Sequence, residues 1–148
     1  MKIRLVLLAI AAVAMAATVS VASAAPSSDA TFKSALKRSD HGKKATMKVR
    51  YNCAKGDTLW ISAKQTKSGK RDKALKAEGS SAVARTWLQS HRNPIVCDGT
   101  DQTSRFKVDK VEQGSKGHLV KGQAWVQFCI TFNEKKLTLS KSGWVRVR

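Results

Sequence analysis

Met47-Lys-Val-Arg-Tyr-Asn-Cys53, then Ala54-Lys-Gly-Asp57, then Thr58-Leu-Trp-Ile-Ser-Ala-Lys-Gln65 is the run on which the reading of this chain turns. In its first arm Met47, Val49, Tyr51 and Cys53 alternate with Lys48, Arg50 and Asn52. A period of two sends one set of side chains to each face, as in a half-buried strand. Gly56-Asp57 is a turn signal, and a second apolar run follows at once. The run predicts a hairpin with a cysteine at the end of its first strand.

Downstream the same period returns. Ala82 to Gln89 reads as strand or helix: Val83 and Trp87 lie four apart, as on a helix face, but Val83 and Thr86 are β-branched, which favours the strand. His91 to Pro94 reads as a loop, and Ile95-Val96-Cys97 as a short strand stopped by Asp98-Gly99. Ser104, Phe106 and Val108 alternate with Arg105, Lys107 and Asp109. In Leu119 to Thr131, Ala124, Val126, Phe128 and Ile130 form one apolar face, opposite Gln123, Trp125, Gln127 and Cys129. That is how a central strand of a two-layer β domain reads. Leu137 and Leu139 follow, Ser142-Gly143 predicts another turn, and Val145 and Val147 alternate with Arg146 and Arg148 to the end. Short strands at roughly 8–12-residue spacing are the signature of an antiparallel sandwich or barrel. The expected fold is all-β, an immunoglobulin-like antiparallel β-sandwich of about seven strands.

Ahead of this domain stand Met1-Lys2-Ile3-Arg4, an apolar run from Leu5 to Ala17, and Ala22-Ser23-Ala24. A basic start, a short apolar stretch and a small-x-small site predict a secretory signal peptide over residues 1–24. No integral membrane span is then expected after cleavage, and the protein is expected to be secreted or associated with the cell envelope. Residues 25–45, with Pro26, Lys37, Arg38, Lys43 and Lys44, read as a flexible basic leader, with a turn or two of helix around Phe32, Ala35 and Leu36. Residues 46–148 are left for the sandwich.

The chain carries a formal net charge of +18, and losing Lys2 and Arg4 with the signal peptide leaves +16. Charge of that size speaks of partners and solubility. The candidate partners are an anionic polymer, cell wall or nucleic acid, anionic lipid headgroups, or an acidic protein. Lys64, Lys67, Lys70, Arg71, Lys73 and Lys76 crowd one segment against the single acid Asp72. A short helix from Arg71 to Glu78 is expected there. These six, with Arg146 and Arg148, are the candidate polyanion-binding residues, and Trp60, Trp87, Trp125 and Trp144 the candidate aromatic platforms. A run of charge is also what a solvated loop looks like.

Three cysteines, Cys53, Cys97 and Cys129, allow three single pairings. Cys53–Cys97 is the expected one, because both sit at strand ends beside turns. Closing that loop stabilises by about 4 kcal/mol in the chain-entropy model. Cys129 is left as a buried inert thiol or an intermolecular bridge, so a monomer or a Cys129-linked dimer is expected. No Cys-x-x-Cys is present and no histidine stands at ligand spacing from a cysteine, so neither metal nor cofactor is expected. Gly-x-Ser-x-Gly, His-Glu-x-x-His and a phosphate loop are absent, and no pair among the acids suits general acid–base work. The expectation is a binding protein with no catalytic residues.

The order Tyr51-x-Cys53, Gly56, a strand ending in Gln65, Cys97-Asp98-Gly99, then Gly122-Gln123-Ala124 resembles a group of small secreted actinobacterial β-sandwich proteins of unknown function. The resemblance covers about residues 46–132 and implies an exported sandwich with its first two cysteines bridged. Gln123 stands where that group has proline, the Lys64 to Lys76 segment is an expansion, and Cys129 is extra. Tyr51-x-Cys53 is also similar to the tyrosine corner of immunoglobulin domains, but here the tyrosine precedes the first cysteine, so it bears on architecture alone. Besides a polyanion-binding module, the sequence leaves open a structural or interaction protein of the envelope and a cationic antimicrobial. No long amphipathic helix favours the last.

Overall fold

The computed structural model describes residues 28–77, 83–92, 94–112 and 114–148. The expected signal peptide lies outside the described residues. Those residues form nine strands: β1 Asp29–Phe32, β2 Lys37–Ser39, β3 Lys44–Asn52, β4 Thr58–Gln65, β5 Thr86–Arg92, β6 Asp101–Val108, β7 Lys110–Val111, β8 Gly122–Phe132 and β9 Lys136–Val147. Among them, no helix is long and apolar enough to cross a membrane.

The strands make two antiparallel sheets. In the first, β6 pairs one edge of β3, and β1 and β2 share the other, β1 against Val49–Asn52 and β2 against Lys44–Thr46. The second runs β7-β5-β4-β8-β9. The period-two pattern decides which face of each strand is buried. Ala45, Met47, Val49 and Tyr51 of β3 are buried while Lys48 and Arg50 are exposed. On β8, Ala124, Val126, Phe128 and Ile130 are fully buried. The two inner faces meet in one apolar core. At its centre the Phe128 ring lies 5.8 Å from Tyr51 and 5.3 Å from Phe106, so aromatic contacts span the sheets.

The all-β, two-sheet architecture is as expected, and so is the bridge between Cys53 and Cys97, whose Cα atoms are 4.8 Å apart. Other readings are corrected. The Met47–Gln65 run is not a hairpin: β3 belongs to the first sheet, while β4 pairs with β5 and β8 in the second. Both arms carry an apolar face, and Val49 and Tyr51 bury that face on the core from one side while Leu59 and Ile61 do so from the other. Residues 53–57 therefore turn the corner between layers.

Nor do residues 29–45 form a leader outside the domain. β1 and β2 supply the ladder partners that one edge of β3 needs, and Ala30 and Leu36 are buried. Between them Leu36 donates its N–H to the Arg146 carbonyl at 2.9 Å and accepts from the Arg148 N–H at 3.0 Å, which ties the first sheet to the end of β9. The expected helical turns at Phe32 to Leu36 are absent for that reason. Ile95-Val96-Cys97 is not a strand. Ser142-Gly143 does not turn the chain, because Gly143 pairs with Val126 inside β9 and the Phe32 ring sits over it. The expected helix after Arg71 is a single 3-10 turn, Lys73–Lys76, with the Asp72 carboxylate accepting from the Ala74 N–H at 2.9 Å.

Candidate functional site

The basic segment is pinned at Gln65 and at Gly69. Gln65 closes β4 fully buried; its Nε2 donates to the Val120 carbonyl at 2.9 Å, and its Oε1 accepts from the Val120 N–H at 2.8 Å. One side chain thus satisfies both backbone groups of a residue 55 positions away. Four residues on, the Gly69 carbonyl accepts from the Gln123 N–H at 2.7 Å. That approach needs two glycines. Gly122 has a φ of +143°, and a Cβ there would overlap the Gly69 carbonyl; Gly69 has a φ of +68°, and its Cβ would come within 2.6 Å of the Lys121 carbonyl oxygen.

The result is a shared surface. Lys67, Lys70 and Arg71 stand exposed beside Lys121 and Gln123, and Arg71 Nη2 donates to Gln123 Oε1 at 3.4 Å. The β8–β9 register puts Arg146 opposite Gln123 and Val147 opposite Gly122. Lys121, Gly122, Gln123, Arg146, Val147 and Arg148 line one shallow depression, and Thr66, Lys67, Ser68, Lys70, Arg71 and Asp72 line its neighbour. Arg38 adjoins them, donating from Nε to the Arg148 carbonyl and from Nη1 to the Leu119 carbonyl, each at 3.2 Å. Arg38 and Lys121 were not among the expected binding residues. Nothing local marks them, since only the Gly69–Gly122 approach and the Leu36–β9 link bring them there.

Asp72 is the one acid among the residues that line the two depressions. The ion pairs among the described residues join Lys44 to Asp40, Arg50 to Asp101, Lys107 to Asp109 and Lys141 to Asp29. None involves a residue of the two depressions, and Asp72 is engaged at its own 3-10 turn. Asp98 is held below the usual carboxylate range by hydrogen bonds from the Thr100 side chain and backbone, and Asp101 chiefly by its hydrogen bond from Arg50. Both stay ionised at neutral pH, and both belong to the first sheet and its loops.

Lys64 is not part of the surface. Alternation puts it on the outer face of β4, but residues 71–77 fold back over that face, and Lys64 is only 1% exposed. Its Nζ donates to the Ala77 carbonyl at 2.9 Å and lies 4.3 Å from the centre of the Trp87 ring. The register aligns Trp144, Trp125, Lys64 and Trp87 in one row across β9, β8, β4 and β5. Trp125 and Trp144 meet edge to face at 5.3 Å. Lys76 Nζ lies over the Trp125 ring at 5.3 Å, and the Arg71 guanidinium over Trp144 at 5.8 Å. Lys73 and Lys76 remain exposed at the 3-10 turn.

At the far end of the same sheet lies a groove of about 520 Å³ lined by Thr58, Trp60, His91, Thr131 and Glu134. Cys129, half-buried, is paired with Trp60 across β4–β8, and its Sγ is 3.6 Å from Ser140 Oγ. It forms no disulfide within the chain. Among the described residues no group of three ligating side chains could hold a metal ion. Neither a scan of protein-family models nor a search of curated proteins finds a match to this chain.

Proposed function

We propose that this is a secreted, non-enzymatic binding module, an immunoglobulin-like sandwich that holds an anionic polymer on the surface around Lys67, Lys70, Arg71, Lys121, Arg146 and Arg148. One observation carries the reading: basic residues more than 70 positions apart are joined through the Gly69–Gln123 hydrogen bond into one surface, lined by the single acid Asp72 and with no ion pair at its lining residues among the described residues. Concentrated positive charge with water on one side is the footprint of polyanion binding. A cell-wall polymer is favoured over nucleic acid. The cations lying over Trp87, Trp125 and Trp144 occupy the faces on which bases would stack, so recognition rests on charge.

The test is binding to purified wall teichoic acid across a salt series, with duplex DNA as competitor. Contacts to phosphates release counterions, so the affinity falls as salt rises. Changing Lys67, Lys70, Arg71 and Arg146 together to Gln is therefore expected to flatten the slope of log affinity against log salt and to lower affinity at least roughly a hundredfold at low salt. Equal binding by variant and wild type, or binding retained at high salt, overturns the reading.

A second variant separates geometry from net charge. Gly122→Ala keeps every charge but forces the Gly69 carbonyl away, so the two depressions part. Teichoic acid affinity is expected to fall roughly tenfold, with a stability loss of about 2 kcal/mol by urea unfolding. Unchanged affinity in the folded variant would mean that the depressions act separately.

A further inference from the structure

We propose that the groove between Thr58, Trp60, His91, Thr131 and Glu134 binds a neutral sugar ring. It lies at the opposite ends of β4 and β8 from the basic surface, about 20 Å away at strand spacing, so the inference stands apart from the polyanion reading.

One residue lining the groove is a tryptophan whose indole is anchored in advance. Trp60 Nε1 donates to Gln89 Oε1 at 2.8 Å, and Gln89 Nε2 in turn donates to Glu112. That relay holds the half-buried indole at the outer face of the sheet through its Nε1 edge. A sugar ring offers a patch of C–H groups to such a face and hydroxyls around its rim. The rim of the groove answers the hydroxyls. His91 is the cross-strand partner of Trp60, and Thr58 and Thr131 are partners of each other. With Glu134 they bring two hydroxyls, an imidazole and a carboxylate to one place, a set that both donates and accepts.

Glu134 is the second, independent observation. The turn between β8 and β9 has both central residues left-handed, Asn133 at φ 51° and Glu134 at φ 56°, closed by the Lys135 N–H on the Phe132 carbonyl. Such a turn favours Asn-Gly, and a glutamate with its Cβ in that conformation is strained. The turn geometry thus gives no reason for this side chain, whereas the groove does. Electrostatics choose among ligands. A carboxylate at the groove disfavours an anion there, and the +18 chain as a whole repels a cation. An uncharged polyhydroxyl ring meets neither obstacle.

The experiment is an amide and indole NMR titration of the folded protein with the neutral probes cellotetraose and N-acetylglucosamine tetrasaccharide, and with tetramethylammonium as the cationic comparison. Saturable shifts from at least one tetrasaccharide are expected at the Trp60 indole and at the amides of Thr58, His91, Thr131 and Glu134. Trp60→Ala is expected to weaken binding at least about tenfold. Glu134→Gly relieves the turn, so it is expected to raise Tm by roughly 3 °C while also weakening the sugar about tenfold. A purely structural glutamate would move Tm alone, and that result overturns the proposal. So does the absence of shifts at these residues with both tetrasaccharides, or a response there to tetramethylammonium alone.

Discussion

Phe128→Ala is expected to lower the free energy of unfolding by about 4 kcal/mol. Phe128 is fully buried at the middle of β8, the strand that pairs with both β4 and β9. Its ring meets Tyr51 and Phe106 of the opposite sheet, so truncation removes the aromatic contact between layers as well as its own burial. The surrounding core can close only partly over the space left behind. Val126 and Ile130 are pinned by the ladder on both sides, and Tyr51 and Phe106 by the β3–β6 pairing. Small domains have total stabilities of about 5–15 kcal/mol, so the variant is expected to sit near the limit of folding. Urea unfolding at unchanged m-value is the measurement. A loss under about 1 kcal/mol would mean that the two sheets do not depend on this ring.

Replacing Cys53 and Cys97 together by Ala is expected to cost about 4 kcal/mol, the chain-entropy value for a loop closed over a separation of 44 residues. The bridge fastens the end of β3 to the segment that leads into β6, at the corner where the chain crosses between sheets. A further link spans the same corner, since the Gly99 N–H donates to the Cys53 carbonyl at 2.9 Å. Gly56 lies against both the disulfide and Ile130, where a Cβ would come within 2.9 Å of Cys97 Sγ. Loss of the bridge therefore loosens the corner as well as enlarging the unfolded ensemble. Thermal unfolding should be compared in a Cys129→Ser background, so that thiol exchange with the third cysteine does not blur the result. A double variant as stable as its parent would show that the corner is held by packing and the Gly99 bond alone.

The legible part of this fold is what neighbouring residues decide between themselves. Met47, Val49 and Tyr51 alternate with charged residues, so β3 was readable, and likewise Ala124, Val126, Phe128 and Ile130 in β8. The Cys53–Cys97 pair was readable because both cysteines border turns. β1 and β2 were not: Asp29–Phe32 and Lys37–Ser39 are too short and too polar to announce themselves, and become strands only because β3 has an edge to fill.

The candidate site divides along the same line. Sequence named Lys64, Lys67, Lys70, Arg71, Lys73, Lys76, Arg146 and Arg148 as candidates alike; the structure buries Lys64 and brings Arg38 and Lys121, which the sequence did not name, beside the two depressions. The left-handed backbone of Glu134 is likewise visible only in the structure.

By itself, then, the sequence determined that this chain makes alternating strands around one apolar core, carries a large positive charge and pairs its first two cysteines. Only the tertiary structure decided that the Met47–Gln65 run divides between two sheets, that Lys64 is buried beneath residues 71–77, and that the basic residues before and after β8 share a surface. Alternation is a property of adjacent side chains and can be read along the chain. Sheet membership, the covering of a strand's outer face and the meeting of distant charges depend on long-range contacts, such as the Gly69 carbonyl accepting from Gln123, that no local pattern contains.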